Sequence, residues 1–222
     1  MTAADAPEAV EVSIEGVPVR GFLHRATPAA AGLVLTHGAG ANCRSALLIS
    51  LAEEFQSSGV TVLRCDLPFR QARPNGPPMR GSAEKDQAGL KAAVTFLREQ
   101  TSGRTFLGGH SYGGRQATML ASSHPGLVDG LLLLSYPLHP PERPDQLRTQ
   151  HFPDLRTPAL FLHGVRDGFG SIAEMETALK LIPARTELLP IPAAGHELMS
   201  KKNRDELPRQ VVEAFHKGLI NT

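Results

Sequence analysis

A serine set between glycines opens the chemistry of this chain. Residues 105–115 read Thr-Phe-Leu-Gly-Gly-His-Ser-Tyr-Gly-Gly-Arg, which places Ser111 in a Gly109-x-Ser-x-Gly113 pattern. Strand-forming apolar residues precede it, and Arg-Gln-Ala-Thr-Met-Leu-Ala, a good helical run, follows it. That context predicts a nucleophile elbow, a sharp strand-to-helix turn that lifts a serine hydroxyl out of the chain. Both glycines have a steric reason, because a Cβ at either position would strike the neighbouring strand or helix of so tight a turn. A serine hydroxyl is a weak nucleophile without a base, so the pattern sends the search to a histidine and to an acid that orients it.

Other candidates lie in turns that follow apolar runs. His196 stands in Pro-Ala-Ala-Gly195-His196-Glu, after an apolar run at 186–190. Asp167 stands in Gly164-Val-Arg-Asp167-Gly-Phe-Gly, after a run at 159–163. Asp66, at the end of another run, competes for the acid's role. The turn His37-Gly-Ala-Gly40 follows the run at 32–36 and can free backbone amides to face a developing oxyanion. The expected oxyanion-hole pair is the N–H of Ala39 and the N–H of Tyr112. His37 and His110 read as loop-orienting residues, and His24, His124 and His216 as surface residues. His139, His151 and His163 stay open as alternatives.

The elements that must position these residues follow from periodicity. Residues 9–14 and 17–25 read as antiparallel strands joined at Glu15-Gly16, a tight-hairpin pair. Further strands are expected at 32–36, 60–65, 105–109, 130–135, 159–163 and 186–190. Helices are expected at 44–57, 82–100, 112–123, 171–181 and 204–219. Continuous apolar strands such as Leu131 to Leu134 demand burial on both faces, which a parallel sheet covered by helices provides. The fold class is therefore α/β: a doubly wound, mostly parallel sheet of about eight strands with its first strands antiparallel, helices on both faces and right-handed crossovers. Ligands of such sheets bind beyond the carboxyl ends of the strands, where all the candidates above fall.

Composition excludes several classes. A chain of 222 residues is expected to form a single domain over 1–222, with 1–8 flexible. A formal charge of +1 gives no reason for a nucleic-acid or membrane partner. There is no apolar run long enough to span a bilayer, and the first residues lack the basic start and apolar stretch of a secretory signal. Cys43 and Cys65 are too few for a disulfide framework or a zinc site and read as reduced thiols of a cytoplasmic protein. No metal or organic cofactor is implied, and oligomeric state is left open.

With the serine, acid and histidine in this chain order, the sequence resembles the α/β-hydrolase superfamily. More narrowly it resembles a small bacterial branch of hydrolase-like proteins, dienelactone-hydrolase-like, related to a mammalian testis-expressed protein and to a subunit of a nuclear histone-acetyltransferase complex. The segments that carry this are Leu-Thr-His37-Gly-Ala-Gly40, Arg64-Cys-Asp-Leu-Pro-Phe-Arg70, Gly108-Gly-His-Ser111-Tyr-Gly-Gly-Arg115, Ser135-Tyr-Pro-Leu-His-Pro-Pro141 and Gly164-Val-Arg-Asp167-Gly-Phe-Gly170. The resemblance implies a triad of Ser111 as nucleophile, Asp167 as acid and His196 as base. It implies a carboxylesterase-like serine hydrolase acting on small-molecule esters, or alternatively a hydrolase-fold scaffold that binds without turnover. Lids of such hydrolases usually enter between the strands at 130–135 and 159–163, and the Pro-rich interval 136–158 is too short for a cap domain. The Pro- and Arg-rich stretch 66–81 and residues 136–139 are expected to form the rim of an open site, with Arg70, Tyr136 and His139 on it. Arg70, Arg73 and Arg80 could there attract a carboxylate-bearing substrate.

Overall fold

The computed structural model describes residues 6–221. Two strands, β1 (Glu8–Ile14) and β2 (Val17–His24), form the expected hairpin, with Glu15 and Gly16 at φ 52° and 82°. Such positive angles at both turn residues match the right-handed twist of the strands they join. Residues 1–5 of the segment expected to be flexible lie outside the described residues. Glu8, by contrast, is already paired with Leu23 in the sheet.

From there strands and helices alternate: β3 (Ala31–Thr36), α1 (Ala46–Ser57), β4 (Val60–Cys65), α2 (Pro68–Ala72), α3 (Ser82–Gln100), β5 (Arg104–His110) and α4 (Tyr112–Ser123). Then follow β6 (Gly130–Leu134), β7 (Ala159–Gly164), α5 (Ile172–Leu179), β8 (Thr186–Ile191) and α6 (Leu207–Phe215), the last continued by a π-helical turn over His216–Ile220. The sheet has eight strands in the order β1-β2-β4-β3-β5-β6-β7-β8. β2 runs antiparallel to β4, and every pairing from β4 through β8 is parallel.

The leucine-rich strands are buried on both faces because their side chains alternate between two cores. Leu131, Leu133 and Phe161 face the layer of α3, α4 and α5, while Leu132, Leu134, Leu160 and Leu162 face that of α1 and α6. His24, read from sequence as a surface residue, is buried at 1% exposure and accepts a hydrogen bond from Arg64 Nε at 2.9 Å. α2 sits inside the stretch expected to be a loop. Between β6 and β7 the chain forms one 3₁₀ turn (Phe152–Asp154) and no inserted cap. Among the described residues no helix is long and apolar enough to cross a membrane.

Candidate active site

The elbow forms where β5 meets α4. Ser111 has φ 50° and ψ −115°, a conformation that side-chain-bearing residues rarely adopt. Its N–H is fixed on Leu134 O at 2.8 Å. The two flanking glycines are required by contact: a Cβ on Gly109 would lie 2.6 Å from the Gly113 carbonyl carbon, and one on Gly113 would lie 2.5 Å from His37 O.

Three side chains from three strand ends meet in a hydrogen-bonded line. His196 Nε2 is 2.7 Å from Ser111 Oγ, and its Nδ1 is 2.9 Å from Asp167 Oδ2 and 3.0 Å from Oδ1. With a proton on Nδ1 donated to the carboxylate, Nε2 is left to accept from the serine hydroxyl. Burial opposes the Asp167 charge, yet the hydrogen bonds from His196 and from Phe169 N–H outweigh it and hold its carboxyl below the usual range. His163, buried, donates Nε2–H to Gly170 O at 2.8 Å and lies 3.6 Å from Asp167 Oδ2. The turns carrying Asp167 and His196 approach closely because residue 164 is glycine. A Cβ there would lie 2.4 Å from Gly195 O.

Two further groups hold His196. The Phe169 ring stacks on the imidazole with centroids 4.1 Å apart. His110 Nε2–H donates to His196 O at 2.8 Å, which ties the elbow to the histidine loop. Sequence reasoning missed Phe169. The signal available was an aromatic between two glycines, two residues after the acid.

The turn after β3 lies against the nucleophile, since a Cβ on Gly38 would sit 3.4 Å from Ser111 Cβ. The Gly38–Ala39 peptide is fixed through its oxygen: Gly38 O accepts from His37 Nδ1–H at 2.8 Å and from Ala41 N–H at 3.1 Å. Leu67 N–H donates to His37 Nε2 at 3.1 Å, so a single neutral tautomer satisfies both ring nitrogens. Burial agrees, pushing the His37 pKa down. Asp66 accepts from Cys43 N–H at 2.7 Å, which commits it to this turn and away from His196. The Tyr112 N–H, at the first position of α4, has no intrahelical acceptor. Its phenol is turned aside and donates to Asp86 Oδ2 at 2.7 Å.

The expected rim is different. Arg70 is buried, not exposed on the loop. Its Nε donates to Ala41 O at 2.8 Å, its Nη2 to Ala39 O at 2.8 Å and Gly76 O at 3.0 Å, and its Nη1 to Arg73 O at 3.2 Å. Those carbonyls consume the guanidinium, which clamps the 37–43 turn to the 68–76 segment. Tyr136 is fully buried, and its hydroxyl donates to Arg148 O at 2.6 Å. His139 is buried as well, with Nδ1 2.8 Å from Pro140 O. Arg73 and Arg80 do reach the surface, lining a cavity of about 280 Å³ with Phe69, Met79 and Lys85. Cys43 and Cys65 are free and buried, and burial raises the Cys43 thiol to about 12. Among the described residues no group of His, Cys, Asp and Glu is arranged to hold a metal ion.

Comparison with known proteins agrees with this architecture. Residues 29–221 match the family described as alpha/beta hydrolase domain. The chain belongs to that family and is by membership a hydrolase. Among solved structures it is similar to a dienelactone hydrolase from Anabaena variabilis ATCC 29413, with 24% identity, 96% of this chain and 98% of that one covered, and a TM-score of 0.78. It is also similar to Est1E from Butyrivibrio proteoclasticus with ferulic acid bound, at 16% identity, 96% and 100% coverage and a TM-score of 0.79. The Pyrococcus furiosus esterase Pf2001 matches at 18% identity, 96% and 93% coverage and a TM-score of 0.73. These likenesses are likenesses of fold.

Proposed function

We propose that the protein is a serine hydrolase of carboxylesterase type, cleaving small esters through an acyl-enzyme on Ser111. The observation that carries this reading is the unbroken line from Ser111 Oγ through His196 to Asp167, at 2.7 and 2.9 Å. Ser111 Oγ attacks the acyl carbon while His196 Nε2 takes its proton. Asp167 stabilises the imidazolium that results and holds its orientation. The N–H groups of Ala39 and Tyr112 receive the oxyanion, each such donor being worth on the order of ~3 kcal/mol. Collapse of the tetrahedral intermediate breaks the C–O bond, and the leaving alkoxide takes the proton from His196. Water then attacks the acyl-enzyme, gives its proton to His196, and the acid leaves as Ser111 Oγ is reprotonated.

Esterases among the fold neighbours and the lack of a cap between β6 and β7 support small, accessible substrates. A p-nitrophenyl ester series of increasing acyl length is expected to show the fastest turnover at short chains. Ser111→Ala is expected to abolish both turnover and labelling by a fluorophosphonate probe. Labelling of the Ser111→Ala protein would overturn the assignment. A wild-type protein that folds but neither turns over nor labels would leave a binding role.

A further inference from the structure

Ala39 and Tyr112, whose N–H groups are the expected oxyanion donors, stand on segments far apart in the chain. Such donors act only while their positions are fixed before charge develops. One contact limits how closely the two segments approach, since a Cβ on Gly113 would lie 2.5 Å from His37 O. A steric contact of that kind does not stop them from moving apart. Something must also hold them together, and the group placed to do so is a carboxylate.

Asp86, in α3, is fully buried. Its Oδ1 accepts from Phe69 N–H at 2.9 Å and its Oδ2 from Tyr112 O–H at 2.7 Å. Burial pushes its pKa up, and the two hydrogen bonds offset only part of that cost. An apolar side chain would pack α3 here without a charge to desolvate. The close approach of α3 to α2 is built in: Gly89 lies one turn after Asp86, and a Cβ there would lie 2.5 Å from the Pro68 ring.

Each oxygen of this carboxylate reaches one side of the expected oxyanion hole. Phe69 is the neighbour of Arg70, whose guanidinium holds Ala39 O and Ala41 O, both at 2.8 Å. The Phe69 ring packs on His37 with centroids 5.6 Å apart, and His37 Nδ1–H in turn holds Gly38 O. On the other side Tyr112 follows the nucleophile, and its ring meets that of Phe69 edge to face, again at 5.6 Å.

We propose that Asp86 is a positioning residue for hydrolysis, a brace between α2 and the elbow that fixes the separation of the Ala39 and Tyr112 N–H groups. It acts through Phe69 N–H and the Tyr112 phenol, not on the reacting atoms. The role rests on the serine-hydrolase reading, because only an oxyanion needs both donors at once.

Kinetics on a neutral p-nitrophenyl ester and inhibition by a trifluoromethyl ketone, with a melting curve for each variant, test this on the whole protein. Ser111 Oγ adds to the ketone carbon, His196 takes the proton and no group leaves, so the oxyanion stays in the hole. Asp86→Ala is expected to lower kcat by about ten-fold or more with KM nearly unchanged, since a displacement of about 1 Å can cost about 10²-fold. The inhibition constant of the ketone should rise by the same factor as kcat/KM falls. Asp86→Asn is expected to recover part of the loss, because its oxygen can accept from Phe69 N–H while its amide donates to the phenol oxygen. Tyr112→Phe removes one hydroxyl and tests the brace even where Asp86→Ala does not fold. It is expected to show a smaller loss of the same kind, and to add nothing when combined with Asp86→Ala. Unchanged kcat and inhibition in Tyr112→Phe, or losses that simply add, would overturn the brace. So would an Asp86→Ala protein that melts early yet keeps both values, which makes the carboxylate structural only. A wild-type protein that neither turns over ester nor binds the ketone would overturn the hydrolase reading itself, and this role with it.

Discussion

Ser111 is flanked by two arginine-bearing regions that treat the same side chain in opposite ways. On one flank Arg70 lies buried with its donors spread over the carbonyls of Ala39, Ala41, Arg73 and Gly76. On the other, Arg115 is half-buried, and its Nε has no partner among the described residues. A guanidinium consumed by carbonyls is scaffolding: it fixes the backbone that carries the expected oxyanion donor. Arg115 is fixed through its backbone instead, its N–H donating to Ser111 O at 3.0 Å. The difference separates a side chain that holds a turn through its own donors from one that the helix backbone holds in place.

The largest effect that would break this comparison comes from the closed flank. Arg70→Met removes the donors that join the carbonyls of Ala39 and Ala41 to those of Arg73 and Gly76, and so frees the turn that carries Ala39 N–H, the expected oxyanion donor. The expected result is a fall in kcat of about 10²-fold, the scale of losing one oxyanion donor, with KM nearly unchanged. Arg70→Lys should recover little, because one ammonium cannot reach carbonyls in two segments at once. Steady-state kinetics on a neutral ester, with a melting curve for each variant, decides the matter. A variant that melts early but keeps kcat would make Arg70 structural only. A smaller effect is expected at the histidine. Phe169→Ala removes the ring stacked at 4.1 Å on His196, and a loss of roughly 2–10-fold in kcat corresponds to the usual worth of an aromatic pair.

The two flanks also differ in how far the sequence reveals them. The sheet is legible because strands buried on both faces must be continuously apolar, and Leu131 to Leu134 can hardly be anything else. The elbow is legible because Gly109 answers a local demand, 2.6 Å from the Gly113 carbonyl carbon, while Gly113, 2.5 Å from His37 O, completes a spacing that the tight turn repeats wherever it packs on a neighbouring strand. Arg70 is not legible in this way. An arginine among prolines reads as solvent-exposed, and only the tertiary approach of the 37–43 turn supplies carbonyls for it. Its burial also explains why α2, five residues long, goes unseen: Pro68 begins it, and packing rather than propensity holds it. Tyr136 fails as a rim residue for a related reason. An amphipathic side chain can be buried whole if its hydroxyl finds a carbonyl, and Arg148 O is too far along the chain to read from pattern.

The gentlest probe of the open flank is acid. His151 and His24 are held neutral, each lowered from 6.5 to about 4. For both, burial is the main cause, followed by a neighbouring guanidinium, Arg115 and Arg64 respectively. Below 6.5 the unfolded chain binds protons that the folded chain refuses, so stability falls as pH drops from 6.5 towards 4. Each histidine contributes a slope of up to about 1.4 kcal/mol per pH unit, and the decline from these two groups levels off below 4. Asp167 acts in a lower window. Its depressed carboxyl stabilises the fold above about 3.9, the ordinary aspartate value, and that contribution is lost as pH falls through its folded value. Urea titrations across this range should show His151→Gln flattening the upper window and Asp167→Asn the lower.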